Sequence, residues 1–110
     1  MAATYTLTCD PFTAADLAIR AIEGGSFTGE LIDRYQISDG DKTCIVLVFE
    51  KHYYRAGNRL TLTVTLDNLS SVTRVHLVGG GGGEGLFRFD WGAAESFEQC
   101  VVDALRNVMQ

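Results

Sequence analysis

Within residues 60–66, LTLTVTL, an aliphatic side chain stands at every second position and a threonine at every position between. A helix would scatter Leu60, Leu62, Val64 and Leu66 around its circumference, whereas a strand, whose side chains alternate between faces, gathers them on one side. The segment is therefore a strand with one leucine-lined face and one threonine face, and the β-branched threonines favour extended backbone in their own right. Such a strand needs hydrogen-bonding neighbours and an apolar layer over its leucines. The rest of the chain has to provide a sheet and a cover for one of its faces.

The neighbouring segments supply the sheet. Tyr5, Leu7 and Cys9 alternate with Thr4, Thr6 and Thr8, a first strand that ends at Pro11. Residues 30–37 alternate charged and apolar side chains less regularly, and Ser38-Asp39-Gly40-Asp41 provides a hairpin turn into the next run. That run, residues 44–49, is apolar at every position, the pattern of a strand covered on both faces, so it is expected centrally, under a helix or an oligomer partner. Arg55-Ala56-Gly57-Asn58 turns the chain into the alternating strand and Asp67-Asn68-Leu69-Ser70-Ser71 turns it out again. Residues 72–78 then form a fifth strand that delivers Gly79, and a further short strand is expected at Leu86-Phe87-Arg88-Phe89.

Two segments switch to helical period. Thr13 and Asp16 have capping-box-like spacing and Phe12 and Leu17 that of a hydrophobic staple, which predicts a helix from about Ala14. Ala14, Leu17, Ala18, Ala21 and Ile22 give it one apolar stripe, and Gly24-Gly25 stops it. Near the end of the chain Phe97, Val101, Ala104, Leu105 and Val108 form a second stripe, on a helix capped by Asp90 or Gly92. The element order β-α-β-β-β-β-α predicts an α+β two-layer sandwich, an antiparallel sheet of about five to six strands covered by a long C-terminal helix. The 110 residues, 46% of them hydrophobic, suffice for one domain spanning 1–110 with its own core.

Charge and cysteine usage exclude several classes of function. A net charge of −5 repels phosphate backbones and anionic lipid, so neither nucleic acid nor a membrane is expected as partner. Cys9, Cys44 and Cys100 are widely spaced and odd in number, which gives neither a disulfide framework nor a CxxC motif. They read as small hydrophobes in a reducing compartment. The first residues carry neither a basic segment nor an apolar run, and the expected location is the cytoplasm. No HxH, HExxH or CxxC spacing exists, and neither a metal nor another cofactor is expected.

Three groups of residues are candidates for a site. Gly79, Gly80, Gly81, Gly82, Gly83 and Gly85 satisfy GxGxxG formally, but no helix follows at once and no Lys-Ser/Thr pair completes a P-loop. They read as a flexible glycine-rich loop that could close over a ligand. Lys51, His52, Tyr53, Tyr54, Arg55 and Arg59 form a basic, aromatic island at a hairpin end, suited to an anionic ligand or an acidic partner surface, or to solubility and edge protection. Arg88, Asp90 and Trp91 bring a cation, an anion and a large ring together, able to fix a small polar ligand; alternatively Asp90 caps the helix, Trp91 fills the corner between sheet and helix, and Arg88 faces solvent.

The strand and helix, the antiparallel meander and the long C-terminal helix resemble the helix-grip layout of START-like and pollen-allergen-like domains, which implies an apolar ligand held between sheet and helix. The length and the segment Arg88-Phe89-Asp90-Trp91-Gly92 leading into an amphipathic helix are similar to a small bacterial family without an assigned function. The functional expectation is a binding or interaction domain that self-associates, forming a homo-oligomer, or meets a protein partner or a small apolar or anionic ligand. The alternative is a small helix-grip enzyme in which His76, Asp90 or His52 transfers protons on a hydrophobic metabolite.

Overall fold

The alternating strand lies in the middle of the sheet. The computed structural model describes residues 2–24, 29–53, 58–81 and 87–110. In chain order the elements are β1 (Ala2–Leu7), α1 (Pro11–Gly24), β2 (Glu30–Asp39), β3 (Lys42–Tyr53), β4 (Asn58–Asp67), β5 (Thr73–Gly81) and α2 (Phe87–Leu105), closed by a 3-10 turn at Arg106–Val108. The strands form one antiparallel sheet in the order β1-β5-β4-β3-β2. This is the expected α+β arrangement, with five strands.

One face of the sheet carries the core. Leu60, Leu62, Val64 and Leu66 of β4 are fully buried, as are Ile45, Leu47 and Phe49 of β3 and Val75 and Leu77 of β5. They meet Ala14, Ala15, Ala18 and Ile22 of α1 and Phe97, Val101 and Leu105 of α2. Each large aliphatic or aromatic side chain taken out of water here contributes roughly 1.5–3 kcal/mol. The cover therefore consists of two helices packed side by side, with α1 using alanines to sit close.

Several expectations are corrected. Helix α1 starts at Pro11: the Asp10 Oδ1 accepts the Thr13 N–H at 2.7 Å, so Asp10 is the N-cap and Pro11 the first helical residue, where proline's missing N–H costs nothing. Phe12, 43% exposed, is then the second helical residue rather than the residue before the cap that a staple requires. The strand expected at Leu86-Phe87-Arg88-Phe89 does not form, because Phe87, Arg88 and Phe89 open α2. β5 already lies between β1 and β4, so no place beside it is open to a sixth strand. Residues 44–49 lie in an interior strand next to the sheet edge, and among the described residues helices cover one of its faces. Ile45, Leu47 and Phe49 face the helices, whereas Cys44, Val46 and Val48 are half-buried on the other face, which carries no helix among the described residues.

The turns fix the register. Gly40, at φ +63°, takes the first position of a two-residue loop between Asp39 and Lys42, where a side chain would be strained. Asn68 ties this hairpin to the next: its Nδ2 donates to the Asp41 carbonyl at 3.0 Å, its Oδ1 accepts the Thr43 N–H at 2.8 Å, and its own N–H bonds the Thr43 carbonyl at 3.2 Å. The last residues return to the first strand. Thr8 N–H donates to the Val108 carbonyl at 2.6 Å, Gln110 N–H donates to the Thr6 carbonyl at 3.0 Å, and Met109 bridges Leu7. The outer edge of β1 is thus partly closed by residues 108–110, while β2, at the other end of the sheet, pairs with β3 alone among the described residues.

Candidate functional site

The helix-free face follows from the same alternation that builds the core. On β4 it carries Thr61, Thr63 and Thr65, and the register sets Val48, Val46 and Cys44 of β3 beside Thr63, Thr65 and Asp67. On β2 it carries Asp33, Tyr35 and Ile37, opposite Val48, Val46 and Cys44. Tyr35 is 58% and Ile37 54% exposed, a contiguous apolar strip beside a strand edge that has no neighbour among the described residues. A bulge between Leu31 and Asp33 inserts Ile32, itself exposed, near the start of that edge.

Charges lie at the ends of this face. Arg59 pairs with Glu50 at 3.5 Å and Arg74 with Asp67 at 3.9 Å, both partly exposed and each worth at most about 1 kcal/mol. His76 stands between Thr4 and Thr65 in the register, and its Nδ1 lies 2.7 Å from the Thr4 Oγ1 rather than against a carboxylate. Burial pushes the Cys44 thiol up from the ordinary value near 9, with a smaller contribution from the Asp67 charge. Cys9 and Cys100 are raised in the same way, burial first, and Cys100 donates weakly to the Ala21 carbonyl at 3.6 Å. All three behave as packed thiols, not as activated nucleophiles.

The sequence candidates are distributed as follows. Gly79, Gly80 and Gly81 belong to β5, opposite Leu62, Thr61 and Leu60, whereas Gly82, Gly83 and Gly85 lie outside the described residues. Of the basic island, Lys51, His52 and Tyr53 are the last three residues of β3 and Arg59 is the second of β4, with His52 and Arg59 directly opposite each other in the register. Tyr54 and Arg55 lie outside the described residues, and Arg88, Asp90 and Trp91 are placed only by the helical backbone of α2, their side chains falling outside the described part. Among the described residues no group of three or more His, Cys, Asp or Glu side chains could hold a metal ion, and no helix is long and apolar enough to cross a membrane.

One residue escapes a reading by motif. Glu98 of α2 is only 6% exposed, and its Oε2 accepts the Gly79 N–H at 3.0 Å. β1 begins at Ala2, opposite Val78, so Gly79 has no strand partner on that side among the described residues, and the carboxylate takes the place of one. Beside it runs a groove of about 320 Å³ between β1 and α2, lined by Ala3, Tyr5, Ser96, Gln99 and Val102 as well as Glu98. Its signal in the sequence is an acid four residues before Val102 on the buried side of the helix.

Comparison with curated proteins and comparison with solved structures each returned no match. A family model does match, over residues 1–109, and the chain belongs to that family, a family of unknown function designated DUF6054.

Proposed function

We propose that this protein is a small interaction domain that self-associates through the helix-free face of its sheet and the adjoining β2 edge. The observation that carries the reading is the exposed strip of Tyr35 and Ile37 continuing into the half-buried Val46, Val48 and Cys44, beside a ten-residue edge strand. An unpaired edge offers a row of backbone donors and acceptors, and an apolar strip alongside it gains by being covered. At the ends of the face Arg59 pairs with Glu50 and Arg74 with Asp67, and Asp33 stands on the outer strand β2, where it can stay hydrated at the rim of a contact centred on Tyr35, Ile37, Val46 and Cys44.

Sedimentation velocity over a concentration series tests it. A reversible shift from the 12.0 kDa protomer toward twice that mass is expected, abolished in Ile37→Lys and Tyr35→Lys. A protomer that stays monomeric at every concentration, or self-association indifferent to both substitutions, overturns the reading.

A further inference from the structure

Glu98 poses a question that the packing of the sheet does not answer. Its bond to Gly79 needs an acceptor oxygen at the place where β1 stops, and a neutral glutamine amide would supply one equally well. What requires explanation is the charge. A carboxylate nearly removed from water loses its hydration, and a single backbone N–H offsets only part of that loss. Among the described residues no lysine, arginine or histidine forms an ion pair with it.

The surroundings have a consistent chemistry. Glu98 lines the groove between β1 and α2, whose volume, about 320 Å³, lies at the small end of the range of about 300–1,000 Å³ typical of ligand pockets. Ala3 and Val102 give it aliphatic walls, the Tyr5 ring lines it as well, and Ser96 and Gln99 bring a hydroxyl and an amide. Ala3 and Tyr5 are half-buried and packed against the core, so this wall is part of the fold. A buried carboxylate, an aromatic ring and an aliphatic wall in one small groove match a cation carried on an apolar body. The carboxylate attracts the charge, the ring face of a tyrosine favours it further, and the aliphatic surface covers the rest. An anion would meet the opposite field, and the net charge of −5 raises the concentration of cations near the surface.

We propose that the β1–α2 groove binds a small organic ammonium ion, with the ammonium group on the Glu98 carboxylate and its apolar body against Tyr5, Ala3 and Val102. The site lies at the opposite edge of the sheet from β2, on the helix-bearing side, and does not depend on self-association through the other face. Binding of the cation places a counter-charge on Glu98, which has no ion-pair partner among the described residues, so the groove discriminates by charge before shape.

The test uses the full chain labelled with 15N, titrated with 2-phenylethylammonium chloride and, separately, with its uncharged counterpart 2-phenylethanol. Saturable amide shifts confined to β1, Gly79 and the Ser96 to Val102 turn of α2 are expected with the amine and not with the alcohol. Glu98→Gln keeps an acceptor for the Gly79 N–H but removes the charge, and should weaken the amine at least tenfold with the spectrum otherwise preserved. Ser96→Trp, at an exposed rim position, should block the groove, and it decides the matter if Glu98→Gln fails to fold. Equal affinity for the alcohol, unchanged affinity in Glu98→Gln, indifference to Ser96→Trp, or no saturation with the amine in the wild type overturns the proposal.

Discussion

Replacing Gly29 by alanine places one methyl group where three elements converge. A Cβ built there lies 2.8 Å from Ile22 Cγ2 of α1, 3.2 Å from Phe97 Cζ of α2 and 3.3 Å from the Glu50 carbonyl oxygen of β3. The first distance falls short of ordinary contact, 3.4 Å, by 0.6 Å. None of the three neighbours can yield easily. The Ile22 branch is attached at Cβ and moves only with the helix or an entire rotamer change, Phe97 is fully buried, and the carbonyl belongs to a strand paired on both sides. Overpacking of this kind costs about 1–3 kcal/mol. Alanine returns about 0.4–1 kcal/mol by restricting the unfolded chain. The net loss is about 1–2 kcal/mol, which for a domain of this size lowers Tm by roughly 4–8 °C. Urea denaturation followed by circular dichroism measures it, with Gly24→Ala as control: a Cβ at Gly24 meets nothing within 4 Å, and that variant should match or slightly exceed the wild type. In the Gly29→Ala background, Ile22→Leu removes Cγ2 and should recover part of the loss. A Gly29→Ala protein as stable as wild type would refute the close packing of α1, α2 and β3 at this point.

Asn68→Ala removes two side-chain hydrogen bonds and leaves the buried Thr43 N–H without its acceptor, a loss of about 1–3 kcal/mol by urea denaturation, while Asn68→Asp should retain most of that acceptor's share. Asp10→Ala should cost about 0.5–2 kcal/mol through the lost helix cap, and Asp10→Asn much less. The thiols of Cys9, Cys44 and Cys100 are raised in the folded state, so the unfolded chain loses these protons first as pH rises; their contribution is intact below pH 9 and declines above it. Urea midpoints measured from pH 8 to 10.5 should therefore fall less steeply in Cys100→Ala than in the wild type, and parallel curves would refute a role for that thiol.

The strands were legible because two-residue periodicity is a direct image of a half-buried sheet, clearest in the leucines and threonines of β4. Residues 44–49 show where that image fails. A run of Cys44, Ile45, Val46, Leu47, Val48 and Phe49 states that both faces tolerate apolar side chains, not that both are covered inside the protomer, and among the described residues helices cover one. Capping was visible too, but Asp10-Pro11 outranks Thr13 and Asp16 as a helix start because the fixed φ of proline suits the first helical position. The Phe87-Arg88-Phe89 alternation was too short to distinguish a strand from the opening turn of a helix. Glu98 and Gly29 were invisible for a different reason. Their roles depend on partners at Gly79, Ile22 and Glu50, set by tertiary docking that no local pattern encodes.

The return of the tail to β1 has a consequence for how the chain reaches its fold. Strands β2 to β5 form a meander of neighbouring pairs, whereas β1 pairs with β5 through contacts such as Thr4 with His76, 72 residues apart, and Thr8 meets Val108 across 100 residues. During synthesis β1 emerges before β2, β3 and β4 and cannot pair until β5 exists. Closing so long a loop adds little to the equilibrium cost, since the entropy grows only with the logarithm of its length, yet it places β1 docking late in folding. Shortening Leu7 in β1 should therefore accelerate unfolding far more than it slows folding.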